Sequence, residues 1–261
     1  MGAGVSRIPV DGPSIGAPDA VAATFPLAPD LGSPATADRP PNALMAALRK
    51  ELLLQWRTRG QLVAVLVFGA AALLLFSFAI GPNAVALRTF SAGFLWLGLL
   101  LSSTLTLAES FHGEMENRAL EGLLLLPSDA RALYYAKALA NWLQLTILGV
   151  ALVPVMVVLY DAGTVRLPLL LLVIILGTAG LSAPGTLYAA MTAQLQAKQT
   201  LLPLLLFPLI VPALLASVKA TSLVILGDPM GELKPWLVLL LAFDLIYWSI
   251  CGLLYGRVVD E

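Results

Sequence analysis

The stretch "GEMENRALEGLLLLPSDARAL", Gly113 to Leu133, stands between two apolar runs, each long enough to cross a bilayer. Glu114 and Arg118 are four residues apart in the favourable order, and Glu121 follows three later, so the three share one helical face. Met115, Ala119, Gly122, Leu123 and Leu126 fall on another face, which makes this a short amphipathic helix. Pro127 stops it, because the residue before a proline is pushed out of the helical region. Ser128 or Asp129 can then cap a new helix that runs through Lys137 into the following apolar run. A charged helix held between two lipid-seeking runs offers apolar area and charge to a soluble partner.

Working outward, the composition belongs to a membrane protein. The chain has 261 residues, 59% of them hydrophobic and only 12% charged, with a mean hydropathy of +0.89. Six segments meet the requirement of about 20 mostly apolar residues for a crossing. They run from Gln61 to Ile80, Phe90 to Ala108, Ala138 to Tyr160, Leu167 to Met191, Thr200 to Val218 and Trp236 to Tyr255. Each is continuously apolar, without the alternation of a barrel strand, so the expected fold is an all-α, six-span integral membrane protein over residues 61–256. Before them, residues 43–60 read as an amphipathic helix at the interface, with Leu44, Leu48, Leu52 and Trp56 recurring every four residues. Residues 1–42, rich in Ala, Pro, Gly, Ser and Asp, read as a disordered tail. With Asp11, Asp19, Asp30 and Asp38 they match neither a secretory signal nor a transit peptide, so no cleaved targeting segment is expected.

Lys and Arg set the orientation. The side with the N-terminal flank, the loops after spans 2 and 4, and the C-terminus holds nine: Arg49, Lys50, Arg57, Arg59, Arg118, Arg131, Lys137, Lys198 and Arg257. The other holds Arg88, Arg166, Lys219 and Lys234. Both termini and the Gly113–Leu133 stretch are therefore expected in the cytoplasm. A net charge of −1 without a dense basic block argues against a nucleic-acid partner.

Within the spans, Pro203, Pro208 and Pro212 lead to the expectation that span 5 is broken or strongly curved. Small residues in "GTAGLSAPG", Gly177 to Gly185, favour close helix approach. Asp244, near the middle of span 6, costs on the order of 3 kcal/mol to insert as an ion and should face protein or water. It reads equally as part of a polar path or as structural glue. His112, the sole histidine, and Cys251, the sole cysteine, read as a loop residue and a buried hydrophobe. Trp96, Trp142, Trp236, Trp248, Tyr247 and Tyr255 read better as anchors at the headgroups than as a stacking surface for a porphyrin.

A resemblance rests on wording along the chain: "FAIGP" (78–82), "FSAGFLWLGLLLSSTLTLAESF" (90–111), "LEGLLLLP" (120–127), "AKALANW" (136–142), "LGTAGLSAPGTLYAAM" (176–191) and "LLPLLLFPLIVPALL" (201–215). In order and spacing, over about residues 43 to 255, it resembles the heme exporter protein B (CcmB) family, the membrane subunits of the ABC transporter of cytochrome c maturation. One departure is at Phe111, where the family follows with charged residues and this chain has His112 and Gly113. The resemblance implies a bacterial inner-membrane protein with a cytoplasmic coupling helix, here Glu114, Arg118, Glu121, Leu123 and Leu126. It further implies an ABC-type ATPase (CcmA-like), a heme-handling membrane protein (CcmC-like), a small single-span subunit (CcmD-like), and two copies of this chain. Heme would be handled by the complex and ATP by the partner, with no cofactor on this chain and no catalysis of its own. The absence of a G-x-x-x-x-G-K-[ST] run agrees with that division. Two alternatives share parts of the pattern: an ABC-2 type exporter subunit for a lipid, polysaccharide or drug, and, more distantly, an intramembrane enzyme.

Overall fold

The structure, a computed structural model, describes residues 43–57, 59–110, 130–162, 166–192 and 198–260, apart from the side chains at 43, 56, 57, 59, 109, 130, 198–205 and 256–260. The tail expected at residues 1–42 lies outside them. Among the described residues all regular structure is helical. The elements are α1 (Ala43–Arg57), α2 (Arg59–Ile80), α3 (Ala84–Ser110), α4 (Ala130–Tyr160), α5 (Leu167–Thr192), α6 (Lys198–Leu226) and α7 (Leu233–Asp260). The last six each contain a stretch long and apolar enough to cross a membrane, starting at Gly60, Ala84, Arg131, Leu167, Leu206 and Leu233.

Several ends differ from expectation, and capping gives the reason. Helix α3 starts at Ala84 rather than Phe90 because Asn83, after Pro82, accepts the Ala86 amide on its side chain (3.0 Å) and the Leu87 amide on its carbonyl (2.9 Å). Helix α6 runs on to Leu226 past Lys219, an exposed side chain that can reach water from within a span. There Gly227, at φ 98°, ends it by returning its amide to Leu223 (3.1 Å). Asp228 then caps α7, taking the Glu232 and Leu233 amides at 2.8 and 3.1 Å.

Of the break or strong curvature expected in span 5, the break does not occur, since α6 is one helix from Lys198 to Leu226 through all three prolines. Pro154 and Pro184 likewise sit inside unbroken α4 and α5. In lipid an unwound turn would expose several backbone groups to hydrocarbon, whereas a proline forfeits one hydrogen bond, so the continuous helix is cheaper. Pro168 lies in the first turn of α5, where its missing N–H has no intrahelical partner to lose.

Helix α5 is the centre of the bundle, packed against α3, α4, α6 and α7. Every residue from Gly177 to Leu187 is buried, as expected of a helix surrounded by protein. Its glycines admit the neighbours. A Cβ at Gly177 would overlap the Trp96 ring of α3 and stand 2.5 Å from Ser217 Oγ of α6, and one at Gly185 would overlap Leu107. Trp96 is thus a core residue and not a headgroup anchor. It is 1% exposed and its indole N–H, which must find a partner away from water, donates to Thr221 Oγ1 at 2.8 Å. Tyr255, also read as an anchor, is buried against Tyr134 at a ring separation of 5.3 Å.

Replacing Gly177→Ala is expected to lower stability by about 1–3 kcal/mol, whereas Gly93→Ala, where a Cβ meets nothing within 4 Å, should not. Thermal unfolding of the purified protein in detergent checks both. The Leu233 amide, helped by those of Glu232 and Gly231 and by Arg166, holds the Asp228 carboxyl below its ordinary range against a smaller opposing effect of burial. A lowered folded-state value stabilises above the unfolded one and is lost as pH falls through the folded one. Unfolding midpoints should therefore drop below about pH 4, and by less in Asp228→Ala.

Candidate functional site

The residues singled out for a partner, Glu114, Arg118, Glu121, Leu123 and Leu126, lie outside the described residues, as does His112. The frame that holds their segment is described. Helix α3 ends at Ser110 and α4 begins at Ala130, and a run of polar contacts ties the two roots together. Lys137 Nζ donates to the Ser110 carbonyl (3.0 Å) and to Glu51 Oε2 of α1 (3.3 Å). Ser110 Oγ donates to Asn141 Oδ1 (3.0 Å), and Asn141 Nδ2 donates to Thr186 Oγ1 of α5 (3.0 Å). Lys137 and Asn141 are four apart on α4 and so face the same way. The run thus crosses α1, α4, α3 and α5.

The ion pair at its head is buried, with Glu51 5% and Lys137 3% exposed. Glu51 Oε1 accepts no hydrogen bond, yet Lys50 Nζ stands 3.5 Å away, close enough for attraction without a formed bond. A buried pair of this kind is a weak source of net stability but punishes the loss of one partner, which leaves the other charge stranded. The inward face of α1 is consequently centred on Glu51. Leu48 and Leu52 beside it are partly covered, while Leu44, Met45, Leu53 and Leu54 are exposed.

Farther into the bundle, α5 receives donors on carbonyls spaced four apart. Trp142 Nε1 bonds the Ile175 carbonyl (2.9 Å), Trp248 Nε1 that of Ala179 (3.2 Å), and the Tyr134 hydroxyl that of Ala183 (2.9 Å). Carbonyl oxygens have two lone pairs, so these bonds add to the helix's own. Rings touch around Trp248: Tyr135 lies parallel to it and Trp142 edge-on, both at 6.4 Å. Trp142 and Trp248 therefore fasten α4 and α7 to α5.

Asp244 of α7 is 7% exposed and neither carboxylate oxygen has a hydrogen-bond partner. Its Oδ1 lies 3.0 Å from where a Cβ on Gly180 would stand. The carboxyl is thus enclosed by the protein. Among the described residues no three of His, Cys, Asp and Glu gather where they could hold a metal ion.

Sequence reasoning missed the Glu51–Lys137 pair, because Lys137 was counted only as a base flanking span 3. The available signal was its position inside "ALYYAKALANWL", with Asn141 one turn on. Glu51, amid the leucines of α1, was the complementary one.

A sequence model of the CcmB protein family matches residues 42–254. The chain is 33% identical over 204 residues to a Pseudomonas aeruginosa protein named heme exporter protein B, covering 78% of this chain and 92% of that one. It is 30% identical over 197 residues to the Bradyrhizobium diazoefficiens protein of the same name, covering 76% and 88%. With the Paracoccus denitrificans heme exporter protein B the identity is 35% over 192 residues, covering 73% and 88%. A match through all six spans, from the residue before α1 to the end of the last crossing, means that this chain belongs to the CcmB family.

Proposed function

We propose that this chain is the membrane subunit of an ABC transporter complex of cytochrome c maturation, in which a separate ATPase supplies the energy for heme export or for release of a heme-loaded chaperone. The observation that carries the reading is the similarity along nearly the whole length of several proteins named heme exporter protein B. The sequence has no G-x-x-x-x-G-K-[ST] run, so nucleotide phosphates are cradled elsewhere. Heme is cargo of the complex. The partners are an ABC-type ATPase, a heme-handling membrane protein and a small single-span subunit, with this chain present twice. The complex sits in the bacterial inner membrane with both termini of this chain cytoplasmic, in keeping with nine Lys and Arg against four.

In this reading the ATPase docks on the segment Glu114, Arg118, Glu121, Leu123 and Leu126. A push on it reaches Ser110 and Ala130 first, because those are its two ends. The bonds of Lys137 to Ser110 and Glu51, and of Asn141 to Ser110 and Thr186, then oblige α1, α3, α4 and α5 to move together. Transmission is by rigid helices joined at their feet, not by deformation of each one.

Cells lacking this chain should lose c-type cytochromes, and the wild-type gene should restore them. A variant with Glu114, Arg118 and Glu121 all changed to Ala should not, and it should no longer bring down the ATPase from mild detergent. Normal cytochromes in the deletion strain would remove the heme reading, and full ATPase recovery with the triple variant would remove the docking role. Lys137→Met alone strands Glu51 and is expected to destabilise by about 3 kcal/mol. The double change Glu51→Leu with Lys137→Met should cost less than the single one, as measured by thermal unfolding.

A further inference from the structure

The carboxyl of Asp244 has a chemical peculiarity that its mere location in a span does not explain. Both oxygens are buried and neither receives a donor, and Oδ1, the Ala213 Cβ and the Phe243 ring stand 3.0, 3.2 and 3.5 Å from where a Cβ on Gly180 would be. Helix α5 contains no Asp, Glu, Lys or Arg. On α6 the charged residues are Lys198 and Lys219, and Lys219 is exposed and six residues, about 9 Å of helix, beyond Ala213. On α7 itself the nearest charge is Lys234, ten residues before. Among the described residues an anion there has neither an ion-pair partner nor a donor, and an anion can only accept.

The helix it leans on has a complementary need. Residue 184 is proline inside α5, so the amide that would bond the carbonyl four residues earlier does not exist. That carbonyl belongs to Gly180, the residue against which Asp244 packs, and the lack of a side chain there is what allows the approach. Neighbouring α5 carbonyls at 175, 179 and 183 already take donors from α4 and α7. We propose that Asp244 is carried as the neutral acid and donates its O–H to the Gly180 carbonyl, replacing the bond that Pro184 removes and clamping α7 to α5. Asp244 is then a positioning residue and a resident proton site, and this role is independent of the cargo and of the ATPase.

The test is a mutant cycle on the full-length protein in mild detergent, read by thermal unfolding. Asp244→Asn keeps a donor of the same shape and should leave the midpoint unchanged. Asp244→Leu, of similar branching but without a donor, should lower it by roughly 2–4 °C. In a Pro184→Ala background the helix regains its own amide, and the loss caused by Asp244→Leu should shrink to under half. An equal loss in both backgrounds, or an Asn variant as damaged as the Leu one, overturns the proposal. Should Pro184→Ala fail to fold, infrared difference spectra between wild type and Asp244→Asn at neutral pH decide it: a protonated carboxyl band supports the clamp, and a carboxylate band in its place overturns it.

Discussion

The bundle depends on one helix having almost no side chains to defend its axis. Between Gly177 and Gly185, α5 presents mostly glycine, alanine, serine and threonine, with Leu181 and Pro184 as the larger exceptions. In lipid there is no hydrophobic drive to bring helices together, because hydrocarbon is as apolar as leucine. What remains is close contact and hydrogen bonding, and both improve as the backbones approach. Trp96, Leu107, Ser217 and Asp244 all occupy volume that a Cβ on α5 would take. A large residue at 177 therefore disturbs α3 and α6 at once, not a single pair.

Proximity to α5 also changes the use of aromatic residues. A tryptophan in a membrane protein usually rests at the headgroups, where its ring is in lipid and its N–H in water. Here an indole N–H can be satisfied by the protein itself because a carbonyl or hydroxyl is within reach. Trp96 finds Thr221, Trp142 finds Ile175 and Trp248 finds Ala179. The consequence is a group of touching rings, one pair stacked and one edge-on, that joins α4 to α7.

The presence and order of the six spans were legible from length and hydropathy, since twenty apolar residues have few other uses. The small residues of α5 also announced their close packing. The ends were less legible: Asn83 and Asp228 extend helices by capping them, and Lys219 can sit inside one. The prolines misled in the direction of a broken α6, because their local cost was weighed without the larger cost of unwinding in hydrocarbon. Trp96 misled for a related reason, as its partner lies 125 residues away. Asp244 was recognised as needing shelter from lipid, but its relation to Gly180 and Pro184 joins two distant spans and exists only in three dimensions.

The polar run from Glu51 to Thr186 bears on how force can pass through such a bundle. Hydrogen bonds at the feet of α1, α3, α4 and α5 fix their relative positions where an outside partner would push. Above that level α5 is held by α4 and α7 through its carbonyls and by α3 and α6 through its glycines. A packed interior of this kind does not deform continuously; it shifts as blocks between discrete arrangements. By contrast α2 is the span with the smallest share buried, 17% of its most apolar stretch against 61% for α5. A displacement applied at the feet is thus carried by the α5-centred block as one body, and what yields is its boundary with lipid, with α2 and with whatever chains surround it.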